Sequence, residues 1–446
     1  MNGIGRWTVA ALAVALVGVP ALGSGVGIYE QSAKASGQGG AWVARADDAA
    51  ANWYNPAAIM RGQGMQFQFG TTLVAVGYET SLDTGAFGSP TETYDAVGSI
   101  VTPSHFYFTH KVNDCWGWGI GLNNPVGLVT EWDEPPMSLL ARRSALATYV
   151  VNPNLAVALD EHWSVAVGID YMYADIEEFS IDVDQSGLLQ QPQFTTIGTS
   201  DVRGDGDDTS WNVALHFDGA AVDFGFMYRD GFDVGIDGTV AFTGIDPLLQ
   251  DDGLIGQFCS GGEGCFPNGP AGTTLGLPAQ AAVGLSWGVG ESWTMEFDVS
   301  WTGWSSFDVL ALDFGSETSI PVDIGGGNFV QVPVVQDTTL RQDWENTNAY
   351  RFGTAWAVAE RHELRFGAVF DEGAIPNDRV RPFIPDADRT SLTVGYGFAG
   401  ERWNIDAFYM PMVFSDIDAV TGEDGVVPGT YSSMLHLAGV TFNVRF

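Results

Sequence analysis

The last strand of the chain constrains it most. Val440, Phe442, Val444 and Phe446 alternate with Thr441, Asn443 and Arg445, and the sequence stops on an aromatic residue. An apolar residue at every second position is the signature of a strand with one apolar face and one polar face. The pattern recurs upstream. Trp293, Met295, Phe297, Val299 and Trp301 oppose Thr294, Glu296, Asp298 and Ser300, and Leu392, Val394, Tyr396 and Phe398 oppose Ser391, Thr393, Gly395 and Gly397. Fourteen such segments begin near residues 65, 101, 116, 144, 163, 209, 221, 277, 293, 347, 363, 389, 402 and 433. No run of about 18 apolar residues occurs to build a membrane helix. The hydrophobicity is dispersed in short pieces, as in a transmembrane antiparallel β-barrel.

Connections alternate with the strands. Short polar turns (NDC, DEH, GES and GER) precede Trp116, Trp163, Trp293 and Trp403, so four strands restart on an indole at one offset. That placement predicts an aromatic girdle at the short-turn membrane interface. Long connections, roughly 80–100, 129–143, 176–208, 235–275, 304–345, 372–388 and 411–432, lie on the other side. A soluble sandwich has no need of this asymmetry.

Residues 1–23 read as a secretory signal: Arg6 supplies the positive end, Val9 to Leu22 is too short to span a bilayer, and Ala21-Leu22-Gly23 offers small residues for cleavage. The expected compartment is oxidising, and Cys259 and Cys265 can close a small loop there, leaving Cys115 alone. The 18 basic against 55 acidic residues give a net charge of -37, which excludes nucleic acid as a partner. Residues 24–64 are rich in Gly, Ala and Ser and lack alternation, so they form a segment small enough to fill a lumen ahead of a barrel over 65–446.

Three catalytic or metal motifs fail. Gly284-Leu285-Ser286-Trp287-Gly288 matches a hydrolase elbow but lies inside an alternating strand. Asp182, Asp184 and Ser186 open like an EF-hand, but its twelfth position is Gln193. The six histidines show no ligand spacing. Ser104 and His105 are adjacent and point to opposite faces, which argues against an outer-membrane lipase. No enzyme activity, cofactor or metal is expected.

Residues 24–64, with the tripeptide Asn55-Pro56-Ala57, resemble the N-terminal hatch of the FadL/TodX outer membrane transport proteins. AYRFGTAWAV, LRFGAVFDEGAIPNDR and the IPDADR of residues 384–389 resemble motifs of long-chain fatty acid importers. The resemblance implies fourteen strands, a hatch in the lumen, passive import of hydrophobic compounds, and residence as a monomer in the Gram-negative outer membrane. There it meets lipid and lipopolysaccharide, and its terminal strand is read by the barrel assembly machinery. In that family the third strand is kinked to open the wall. Here WGWGIGL breaks at Asn124, Pro125, Val126 and Gly127, where proline cannot complete a ladder. Two long loops correspond to the family's outer capture groove, and Ile245, Leu248, Leu249, Leu254, Ile255 and Phe258 form the expected greasy patch. Asp175, Glu177 and Glu178 stand where fatty acid importers tend to carry basic residues, which favours a neutral hydrocarbon or aromatic ligand. A general diffusion porin is the other alternative, and it requires more strands and no hatch.

Overall fold

The computed structural model describes residues 25–82, 92–184, 196–251, 253, 255–260, 264–323, 327–420 and 428–446. The signal segment lies outside them. Fourteen strands run in chain order: β1 Met65–Leu82, β2 Ser104–Lys111, β3 Trp116–Asn123, β4 Arg143–Ala158, β5 Trp163–Asp184, β6 Thr196–Phe217 and β7 Val222–Arg229. The second half comprises β8 Gln280–Val289, β9 Trp293–Thr302, β10 Thr347–Ala359, β11 His362–Asp371, β12 Arg389–Ala399, β13 Trp403–Phe414 and β14 Gly429–Arg445. Each pairs antiparallel with the next, and β1 pairs with β14 from Gln66↔Arg445 to Leu82↔Gly429. The sheet is therefore closed, and closure removes the edges that a membrane would leave unpaired.

The alternation has an inverted meaning compared with a soluble core. Leu73, Val167, Ile169, Leu392 and Val440 face outward and are about half exposed, while Gln68, Asn152, Asp170, Asp298, Arg351 and Asp406 are buried inside. Apolar side chains meet lipid, and polar ones line a filled lumen. The indoles of Trp116, Trp163, Trp293 and Trp403 stand at the short-turn end, with Trp293 stacked on Trp356 at 5.1 Å and Trp163 against Phe217 at 4.7 Å.

The largest boundary difference is in β6, which begins at Thr196 rather than near 209. Residues 196–208 are TIGTSDVRGDGDD and have no apolar face to betray a strand. They pair all the same, with β5 on one side and with the outer strand Phe232–Thr243 on the other. Strands β5 and β6 each have 22 residues. At about 3.3 Å per residue they reach roughly 70 Å, well beyond the ~10 residues a crossing needs. Likewise the segment 235–275 contains the hairpin of Phe232–Thr243 and Gly269–Leu277, and 304–345 contains Val309–Phe314 and Thr338–Arg341. Much of the expected loop is sheet standing above the membrane.

Candidate functional site

Residues 25–64 fill the lumen. They fold into the short helices Ala33–Ser36 and Ala51–Tyr54 and a 3-10 turn, Pro56–Arg61, and almost every residue from Gln31 to Met60 is buried. Such a segment buries much backbone, which needs partners that the wall supplies. Asp298 Oδ2 accepts the N–H groups of Trp42 and Val43 at 2.8 and 3.0 Å, and Glu296 Oε1 accepts those of Ala44 and Arg45 at 2.8 and 3.0 Å. Four successive donors are thus held by two carboxyls on one strand. Asn55 accepts from Ala57 N–H at 3.1 Å, capping the turn that Pro56 begins, and donates to Val43 O and Leu215 O. The sequence marked Asn55-Pro56-Ala57 by resemblance; the geometry shows Asn55 joining its own turn, a second hatch segment and the wall. Gly119 and Gly121 of β3 face this plug, and a Cβ on Gly119 would strike the Asn52 side chain.

At Asn123 the third strand leaves its ladder. Its pairing with β2 ends at Phe106↔Leu122, and among the described residues the next backbone bond between those two stretches is Val97 N–H to Glu131 O, at 2.8 Å. Against β4 the strand resumes at Gly127–Glu131, but Asn123 faces Val150 and Gly127 faces Ala147, so the kinked side holds one residue more than its partner. The freed backbone turns inward to the hatch. Ile28 N–H donates to Pro125 O at 2.8 Å, Gly127 N–H to Val26 O at 3.1 Å, and Gln31 Nε2 to Asn124 O at 2.6 Å. Asn124 spans the break itself, accepting from Ser104 N–H and donating to Thr148 O. The hatch takes the place of the missing neighbour.

A cavity of about 370 Å³ lies behind this break. Its walls include outward residues, Ile100 and Tyr149, as well as interior ones, Glu30, Asp386, Met412 and Phe414, so it passes through the wall. A second space of about 80 Å³ adjoins it, lined by Leu275, Trp304, Phe307, Trp344 and Phe383, and Val26, Leu128, Leu146 and Ile384 line both. Burial pushes the Glu30 carboxyl up from its ordinary range, against the pull of Arg389 and Arg351. Burial likewise pushes Asp386 up to about 6, with Arg389 opposing it.

This arrangement can be compared with known proteins. Residues 14–446 match the family described as outer membrane protein transport protein (OMPP1/FadL/TodX). The chain belongs to the OMPP1/FadL/TodX family. Family membership places it in the outer membrane as a transport protein. It is 26% identical to the long-chain fatty acid transport protein of Escherichia coli O6:H1, over 98% of this chain and 97% of that relative. Its fold is that of a Pseudomonas aeruginosa FadL homologue (TM-score 0.78, 18% identity, covering 95% of this chain and 100% of that one). The Pseudomonas putida toluene transporter TodX is similar too (TM-score 0.67, 15% identity, 95% and 99% covered).

The outer loops of this FadL/TodX chain divide the expected capture patch. Ile245 and Leu249 are buried against Cys259 and Cys265, which are joined in the structure, and Ile255 packs at the edge of the same cluster. Leu248 and Phe258 are exposed, at 46% and 61%. Leu254 lies outside the described residues. Half of the patch is thus the core of a small outer knot, and two of its side chains remain exposed. Cys115 is free and exposed at a short turn. Asp175, Asp205 and Asp237 face one another across three adjacent outer strands, a row that repels anions. Glu178 pairs with Arg143 and Arg203, whereas Glu177 lines the cavity. Ser286 is buried in β8, as a strand residue and not on an elbow, and His105 bonds Thr441 in the lumen at 3.1 Å while Ser104 faces out. The residues that sequence reasoning did not assign are Gln31 and Ile28 at the kink, the Glu296 and Asp298 clamp, and the Trp304 and Trp344 lining. Of these only the clamp had a visible signal: two carboxyls on the lumen face of a membrane strand.

Proposed function

We propose that this chain is a passive channel for hydrophobic compounds such as long-chain fatty acids, which enter among the outer hairpins and leave sideways through the break in β3. The observation that carries this reading is the cavity bounded at once by hatch residues and by the lipid-facing Ile100 and Tyr149. The apolar space beside Trp304 and Trp344 leads to it from the outer side. Each buried CH₂ is worth about 0.8 kcal/mol, so a chain of ten methylenes gives up about 8 kcal/mol on passing into water. Exit into lipid avoids that loss.

The acidic surroundings favour the second reading, that neutral compounds such as aromatic hydrocarbons are the preferred cargo. Glu177 lines the cavity together with Glu30 and Asp386, while Asp175, Asp205 and Asp237 form a row on the outward face of adjacent outer strands. A general porin is disfavoured by the filled lumen and the fourteen-strand closure. Native mass spectrometry of the barrel purified in a volatile detergent tests the transport reading. The expected result is a retained apolar molecule that exchanges with added hydrophobic compound. A barrel that neither retains nor exchanges any hydrophobic molecule would contradict it.

A further inference from the structure

The cavity behind the β3 break is walled largely by apolar side chains, among them Val74, Val76, Met412 and Phe414, but it also meets three carboxyls, Glu30 of the hatch, Glu177 of β5 and Asp386 ahead of β12. Glu30 follows directly on the Ile28–Tyr29 stretch that bonds the kink. Its carbonyl is held by the Thr72 hydroxyl at 3.3 Å, while its carboxyl meets no hydrogen-bond or ion-pair partner among the described residues beyond its own backbone N–H. Asp386 is 3% exposed; its Oδ2 accepts Gly25 N–H and Ala374 N–H at 2.9 and 3.0 Å, and its Oδ1 has no partner. The cations facing Glu30 are committed elsewhere. Arg389 donates to Asp371 Oδ2 at 2.9 and 3.0 Å, and Arg351 lies 3.9 Å over the Tyr29 ring.

A carboxylate entering this cavity brings one more negative charge to Glu30, Glu177 and Asp386, with the only lining cation among the described residues, Arg389, already paired. A hydrocarbon leaves the carboxyls as they are. A hydroxyl does better than either, because it donates to an ionised carboxyl and also accepts from a protonated one. We propose that Glu30 is a headgroup contact, and that the cavity selects hydrophobic molecules bearing one neutral hydroxyl, an alkanol or a phenol, over the matching carboxylates. This inference rests on the transport reading above and narrows it.

Isothermal titration of the detergent-purified full chain with 1-decanol and with decanoate tests it, in the natural protein and in Glu30→Gln and Glu30→Leu. The natural protein is expected to bind decanol about tenfold or more tightly than decanoate. Glu30→Gln keeps a donor and an acceptor and should retain decanol affinity; Glu30→Leu should weaken decanol about tenfold. Decanoate bound as tightly as decanol by the natural protein, which needs no variant to fold, would overturn the headgroup assignment and leave the transport reading standing. So would undiminished decanol binding by a heat-modifiable, folded Glu30→Leu barrel. Failure of the natural protein to bind either compound would overturn both.

Discussion

Asn55 bonds in three directions, and each bond is local enough to be broken singly. Replacing it with Ala removes the cap on the Pro56–Arg61 turn and leaves Val43 O without its donor. The expected cost is about 1–2 kcal/mol in the seating of the hatch. It is read as faster amide exchange over residues 41–60, with the barrel strands unchanged; equal exchange in both regions would contradict the assignment. Titration of the hatch surroundings has a definite sign. Burial raises Asp48 and Asp386 to about 6, above the ordinary carboxyl range near 4. The seated hatch therefore binds more protons than the released one between about pH 4 and 6. The contribution of these two groups is fullest below that window and falls as pH rises through it. Protease access to the hatch should increase from pH 4.5 to 7, and the Asp48→Asn, Asp386→Asn double variant should flatten the trend.

At the scale of elements, the clamp on β9 joins wall to plug. Removing both carboxyls with Glu296→Ala and Asp298→Ala frees the N–H groups of residues 42–45, and each buried donor left without an acceptor costs about 1–3 kcal/mol. Single-channel recordings should then show openings that the natural barrel lacks; a silent channel would mean the hatch is held mainly elsewhere. How far these elements could be read from sequence follows from what each face contacts. Strands such as β9, β12 and β14 cross lipid, so their outward positions must be apolar and their alternation is plain. The outer part of β6 touches water on its exposed side, no face of it is required to be apolar, and TIGTSDVRGDGDD looks like a loop. The kink was legible because Pro125 cannot donate to a ladder. Its hatch partners were not, since Gln31 and Ile28 lie about a hundred residues away and meet it through one side-chain amide and one backbone N–H. Leu249 and Phe258 carry the same apolar label in sequence, and only the position of the Cys259–Cys265 bridge separates the buried one from the exposed one.

The molecule as a whole combines three conditions: a closed wall that meets lipid, a plug that fills the lumen, and one place where the wall gives its hydrogen bonds to the plug instead of to its neighbour. Deleting residues 24–60 should raise conductance in planar bilayers and lower selectivity, because the buried segment 31–60 fills the lumen. The lateral route makes a stricter demand. Pro125→Thr restores a backbone donor, and Gly127→Val places methyl groups where even a Cβ would come within 3.0 Å of Ile28. Together they favour a continuous strand and fill the passage beside the hatch. The most direct measurement is uptake of a radiolabelled hydrophobic compound by cells carrying the Pro125→Thr, Gly127→Val barrel, with outer-membrane level and heat-modifiable migration checked in parallel. Lateral exit predicts a correctly assembled barrel that still binds ligand at its outer hairpins and has lost uptake; uptake at the natural rate would contradict it and point to passage through the hatch.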